Sequence, residues 1–242
     1  MTNYPWREVN PCVDFVDTRK KFFNKFCYAA VYKCLGGRTI KLAKGADDIQ
    51  SLIERRYQHD QMMSKHSIWN RDHYLNPGSI DQQQILAFFD IKQAKSPHNC
   101  VRVEEPHVRV YGDTEQILYD IANNELARWK AQLLEVHRPA DAATEAALDG
   151  GSIVMKHHNG YRYKFVLRDG CYGEENKLAL ANYLDQLGDL VKVSKTVRLS
   201  LGIGSKYLWR AWFYSNDYHI KTMIDIIAPG AVSNIHEVTS SK

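Results

Sequence analysis

At 242 residues, with 44% hydrophobic and 25% charged side chains, the chain has the composition of a folded protein of one large or two ordinary domains rather than of a disordered chain. Its net charge of +4 admits a polyanionic partner without demanding one. No apolar run approaches the roughly 18 residues of a membrane span, and the start MTNYPWREVN lacks the apolar core of a secretion signal, so neither a membrane partner nor export is expected.

The first 20 residues, with Pro5, Pro11 and little periodicity, read as an irregular N-terminal arm. Residues 23–34 read as an aromatic-rich strand ended by Gly36-Gly37. Asp47-Asp48 caps a helix whose Ile49, Leu52 and Ile53 stand at i, i+3, i+4. Residues 58–84, with His66, Trp69, His73 and Asn76-Pro77-Gly78, read as an inserted loop with room for a short helix. Strands are expected over 85–92 and 101–111, a helix from Asp113-Thr114 to about Asn124, and a strand over 131–137. Residues 139–152, rich in small side chains, read as a linker with a short helix over 140–148. Beyond it come a strand over 161–169 and a helix over 174–187 with Leu180, Leu184 and Leu187 on one side. Strands over 190–201 and 207–214 follow, joined through Gly202-Ile203-Gly204. Asp217 starts a helix with Ile220, Met223, Ile224 and Ile227 on one face, and a strand over 232–238 closes the chain.

The two halves echo each other. Asn24-Lys25-Phe26-Cys27-Tyr28 matches Asn159-Gly160-Tyr161-Arg162-Tyr163, and Val110-Tyr111 with Ile117 and Ile121 matches Phe213-Tyr214 with Ile220 and Ile224, in the same order. The second half reads strand, helix, strand, strand, helix, strand. The expectation is therefore an α+β protein of two tandem ferredoxin-like (βαββαβ) units, antiparallel sheets with helices on one face. The first unit spans 21–138 and carries the insertion; the second spans 153–242.

In such a unit one sheet face is left open, and strand alternation assigns the side chains to faces. The greasy sets Tyr161, Tyr163, Phe165, Leu167; Val191, Val193, Val197, Leu199, Leu201; and Trp209, Ala211, Phe213 belong under the helices. The opposite sets then gather Arg162, Lys164, Arg168, Lys192, Arg198, Arg210, Trp212 and Tyr214 on one surface. Cations meet phosphates, and rings stack on unpaired bases at roughly 1–3 kcal/mol each, as on RNA-recognition sheets. A solvated sheet face decorated with Lys and Arg is the plain competing account. In the first half the equivalent face carries Cys27, Ala29, Val31 and Lys33 beside His107, Arg109 and Tyr111. That set is too apolar to stay wet, so it is expected to pack against the arm or the second half.

Ten histidines raise acid-base chemistry, notably His157-His158, His66, His73 and His59. The inferred tandem architecture with a basic sheet is similar to that of the CRISPR RNA-processing endonucleases, a resemblance that implies metal-independent RNA cleavage by a histidine. Their glycine-rich signature near the C-terminus has no match here, since Gly202-Ile203-Gly204 falls in a strand connection. No HExxH, Walker or nucleophile-elbow pattern occurs, so neither a metal nor a cofactor is expected. Five scattered cysteines (Cys12, Cys27, Cys34, Cys100, Cys171) lack CxxC spacing, which argues for a reducing, cytoplasmic setting. Three functions remain: a binder of single-stranded RNA or DNA, a structural or assembly subunit of a virion or large complex working through protein partners or self-association, and a metal-independent ribonuclease.

Overall fold

The computed structural model describes residues 4–66, 80–104, 106–129, 131–157, 159–202 and 207–240. The protein is a mixed α+β chain that divides into two compact units, Met1–Glu145 and Ala146–Lys242. Among the described residues it has two five-stranded sheets, a two-stranded ribbon and nine α-helices.

The first unit begins with α1 (Trp6–Val9) and β1 (Asp14–Asp17), followed by β2 (Tyr28–Lys33). Three helices come next: α2 (Arg38–Leu42), α3 (Asp48–His66) and α4 (Gln82–Gln93). The hairpin β3 (Asn99–Glu104) and β4 (His107–Gly112) leads to α5 (Glu115–Asp120), which runs on through a π-helical stretch, Ile121–Leu126, to β5 (Gln132–Arg138). The sheet order is β1-β5-β2-β4-β3, antiparallel except that β1 runs parallel to β5.

Three expectations are corrected in this unit. Residues 4–20 are not irregular throughout. Pro5 starts a short helix that buries Trp6 completely, and β1 adds an edge strand to the sheet. Residues 85–92 form helix rather than strand. Asp81 caps α4 through the amides of Gln83 and Gln84, and Ile85, Phe88 and Phe89 recur at helical spacing, all buried. The β-favouring side chains pack helix against sheet here, as Phe88 does edge-on against Tyr32. The expected long strand over 101–111 is the hairpin β3–β4, broken at Pro106, which cannot donate to a ladder. The insertion expected over 58–84 opens with the end of α3, a helix to His66; its central part, with Trp69 and His73, lies outside the described residues.

The second unit follows α6 (Ala142–Asp149), whose N-terminus is held by the Asp141 carboxylate on the Thr144 amide. It contains β6 (Ile153–Met155), β7 (Tyr163–Leu167), β8 (Gly170–Cys171), α7 (Glu174–Gln186), β9 (Val191–Val193), α8 (Lys195–Leu201), β10 (Tyr207–Leu208), β11 (Trp212–Ser215), α9 (Ile220–Ile227) and β12 (Val232–Ser240). The main sheet runs β6-β12-β7-β11-β9, with β6 parallel to β12; β8 and β10 form the ribbon. Phe165 and Phe213 stack at 4.8 Å in the core, with Leu180 and Leu184 of α7 and Ile220 and Ile224 of α9 among the side chains packed there.

Two further corrections fall here. The strand expected over 190–201 ends at Val193. Ser194 then caps α8 by accepting the Val197 amide, and Val197 and Leu201, one helical turn apart, are buried. Leu199 is consequently 70% exposed, where strand alternation would have hidden it. The strand expected over 207–214 is two pieces. Arg210, at φ +47°, resets the alternation between them, so Leu208 is buried and Trp209 is 56% exposed.

The two main sheets share one connectivity: an N-terminal edge strand parallel to the last strand, then first, third and second core strands in that spatial order. The register agrees residue for residue at the matched positions. Ala29 of β2 lies between Tyr111 and His137, and its counterpart Lys164 of β7 lies between Tyr214 and His236. In each unit the link from the edge strand to the first core strand places a ring on that tyrosine. Phe26 stacks on Tyr111 at 6.3 Å and 27°, and Tyr161 stacks on Tyr214 at 6.5 Å and 23°.

Candidate nucleic-acid interface

On the sheet face of the second unit turned away from Phe165 and Phe213, the ladder pairs Tyr214 with Lys164 on one side and Lys192 on the other. The Lys164 ammonium lies 4.6 Å from the centroid of the Trp212 ring and 5.9 Å from that of Tyr214. The two rings meet at 5.0 Å and 62°. A cation held against ring faces is attracted by their quadrupoles.

This face is only partly open. Tyr214 is 6% exposed, packed with Ile153 and Val238, with Tyr161 stacked over it. Burial raises its phenol pKa above the ordinary value. Trp212 remains half-buried and is the ring with a free portion. The Tyr161 hydroxyl donates to the Asp189 carbonyl at 3.1 Å, pinning its ring across the face. Beside it, Tyr161, Asp189, Lys192 and Arg198 line a shallow recess of about 500 Å³. Arg198 reaches this recess from helix α8 rather than from a strand, with Asp185 3.8 Å from its guanidinium in an exposed pair.

Lys164, Lys192, Trp212 and Tyr214 therefore share the face, and Arg198 joins at its edge. Arg162, Arg168 and Arg210 lie outside the strands β7 and β11. Arg162 precedes β7 in a bend, and its guanidinium sits on the Glu237 carboxylate at 2.9 Å and over the Tyr163 ring. That carboxylate raises the guanidinium pKa. Arg168 follows β7, with its amide on the Ala231 carbonyl. Arg210 precedes β11, its amide on the Asp169 carboxylate and its guanidinium 5.6 Å over the Trp209 ring. Trp209 and Tyr207, both exposed and 6.0 Å apart, make with Arg210 a second cation-ring group, of which strand parity had assigned Trp209 to the interior. The signal that betrays it is the break in alternation at Arg210.

The first unit answers the question of its apolar face. Phe22 and Phe26 cover Ala29, Tyr111 and Cys100, so the cover comes from the β1–β2 connection. Around it run the pairs Arg102–Glu104 and His137–Glu135. Of the histidines weighed for catalysis, His59 lies on α3 and His157 ahead of β7, while His73 and His158 fall outside the described residues. No three His, Cys, Asp or Glu side chains converge among the described residues. No helix among them is long and apolar enough to cross a membrane.

Comparison with known proteins gives no match: no protein-family model, no curated protein and no solved structure matches this chain.

Proposed function

We propose that this protein binds single-stranded RNA or DNA through the second unit, on a scaffold of two tandem ferredoxin-like units derived from one ancestral unit. The shared strand order and the matched Tyr-centred registers support the duplication. On this reading the first unit extends from the N-terminal arm to about residue 138, and the second begins at about 153.

The observation that carries the functional reading is Lys164 over Trp212 and Tyr214, flanked by Lys192 and Arg198. Trp212 offers its free edge to a base, Tyr214 serves as a buried footing for the cation, and the lysines and Arg198 meet phosphates. Trp209 and Arg210 extend the path past the end of β11.

The test is binding of labelled single-stranded oligonucleotides by the full chain at two salt concentrations. Affinity should fall steeply with salt through counterion release. Trp212→Ala combined with Lys164→Met should weaken binding by about 10-fold or more, on roughly 1–3 kcal/mol for a stacked base plus one phosphate contact. Unchanged affinity in that variant, with the fold intact, refutes the interface.

A second reading, an assembly subunit, draws on the exposed apolar side chains of the second unit: Leu199 at 70%, Ile226 at 69% and Leu190 at 65% exposed. A stable homo-oligomer in light scattering with no affinity for polynucleotide would favour it.

A further inference from the structure

Residues 19–26 read Arg-Lys-Lys-Phe-Phe-Asn-Lys-Phe: four cations, no carboxylate, in a chain whose whole net charge is +4. In the structure they form the β1–β2 connection across the first sheet, closed by an isolated bridge in which the Phe22 and Phe26 amides and carbonyls bond each other at 2.8 and 3.0 Å. Phe22 and Phe26 turn inward onto Tyr111. Phe23 does not. It sits at φ +54°, a left-handed conformation that a bulky side chain rarely adopts, and it is 54% exposed. Asn24, at φ +56°, is the residue type that tolerates this turn.

The Phe23 ring is held in a defined pose. Its edge contact with Tyr111 is 5.0 Å at 82°, and the Arg102 guanidinium lies 5.7 Å over its centroid. Arg102 also pairs with Glu104 at 2.8 Å, which orients the guanidinium without burying it. Lys25 is exposed and lies on the Pro97 carbonyl and over the Phe26 ring, so no carboxylate neutralises it at those contacts. Lys20 is exposed beside them. Arg19, by contrast, pairs with Asp17 at 3.5 Å.

We propose that this loop is a second contact for single-stranded nucleic acid, with Phe23 as a base-stacking ring and Lys20, Lys25 and Arg102 as its phosphate contacts. The inference rests on the reading of the chain as a nucleic-acid binder, but on different residues in the other unit. A ring with an arginine on its face, in a loop that carries exposed lysines, is the kind of arrangement that single-strand binders use. A polynucleotide fits better than an anionic lipid surface, because only one of the three phenylalanines is offered outward.

The experiment is fluorescence anisotropy of labelled oligouridine and oligothymidine with the full-length chain at two salt concentrations, alongside sedimentation with phosphatidylserine vesicles. Phe23→Ala should weaken oligonucleotide binding about fivefold or more while leaving the salt slope unchanged. Lys20→Ser with Lys25→Ser should reduce that slope by about 1–2. Both variants should melt like the parent. Trp212→Ala separates the two surfaces. If Trp212→Ala weakens binding while Phe23→Ala and the lysine pair do not, this inference falls and the second-unit interface stands. If the reverse holds, that interface falls and this one stands. Phe23-dependent capture by vesicles without Phe23-dependent oligonucleotide binding also overturns it, as does a parent chain that binds no oligonucleotide.

Discussion

Replacing Glu115 with alanine should detach the N-terminal arm from the first sheet. Trp6 is fully buried, and its indole N–H donates to Glu115 Oε1 at 2.7 Å. The carboxylate is itself only 7% exposed and also accepts from Arg138 at 3.2 Å, whose side chain is 29% exposed. Alanine leaves the indole donor buried without an acceptor, at about 1–3 kcal/mol. It also strands a partly solvated guanidinium, at less than the roughly 3–5 kcal/mol of a fully buried broken pair. About 3 kcal/mol in total is expected, which raises the open population of the arm about 150-fold. Glu115→Gln keeps an acceptor for Trp6 and should cost about 1 kcal/mol; Trp6→Phe keeps most of the ring contact and should cost about the same. Native-state hydrogen exchange is the assay, read at the Thr18 amide, which donates to the Arg138 carbonyl at 2.7 Å, together with urea unfolding. Exchange at Thr18 as slow in Glu115→Ala as in the parent, with less than about 0.5 kcal/mol of destabilisation, would refute the reasoning.

Three other outcomes follow from the same physics. The Tyr32 hydroxyl is completely buried with no hydrogen-bond partner among the described residues, so Tyr32→Phe should stabilise the fold by about 1 kcal/mol and raise the urea midpoint accordingly. Burial holds the Tyr32 phenol pKa above its ordinary value, and burial together with the Glu145 carboxylate does the same for Tyr28. Because the folded state favours the neutral phenols, their contribution is complete below about pH 10 and is lost as pH rises beyond it. Urea midpoints should therefore drop in alkali, and drop less in Tyr32→Phe; equal slopes would count against this. Asp81→Ala should cost about 1–2 kcal/mol through two lost cap bonds on α4, and Ser194→Ala about 1 kcal/mol on α8, both read by thermal melts. A free Ser194→Ala change would argue that residues 195–201 are not held as a helix by their cap.

Much of the secondary structure was legible because its signals are local. Asp113-Thr114, Gly188 and the spacing of Ile220, Ile224 and Ile227 mark helix ends and faces without reference to anything distant. Two of the misreadings share one cause. Ile85 to Lys92 and Val191 to Leu201 are rich in β-favouring side chains, and both were settled by capping oxygens at Asp81 and Ser194 and by what the apolar face could reach. Propensity is the weaker force when a buried face of helical period finds a sheet to cover.

The candidate surface shows the same division. Lys164, Lys192, Trp212 and Tyr214 share a face because alternation along a strand is a property of the backbone. Arg198 comes from a helix and Arg210 stands outside a strand, because alternation stops where a strand stops, at Ser194 and at the left-handed Arg210. The basic-aromatic string at 19–26 was visible in the chain from the start, but its importance depends on which phenylalanine faces outward.

What the sequence determined unaided was the periodicity of each element, the echo between its halves and the absence of any long apolar run, since each is written in neighbouring residues. Only the tertiary structure decided how exposed each ring is: Tyr214 sinks beneath Tyr161 while Phe23 and Trp209 emerge. Exposure is set by chain segments far apart in sequence that meet across a sheet, and no local pattern encodes that meeting.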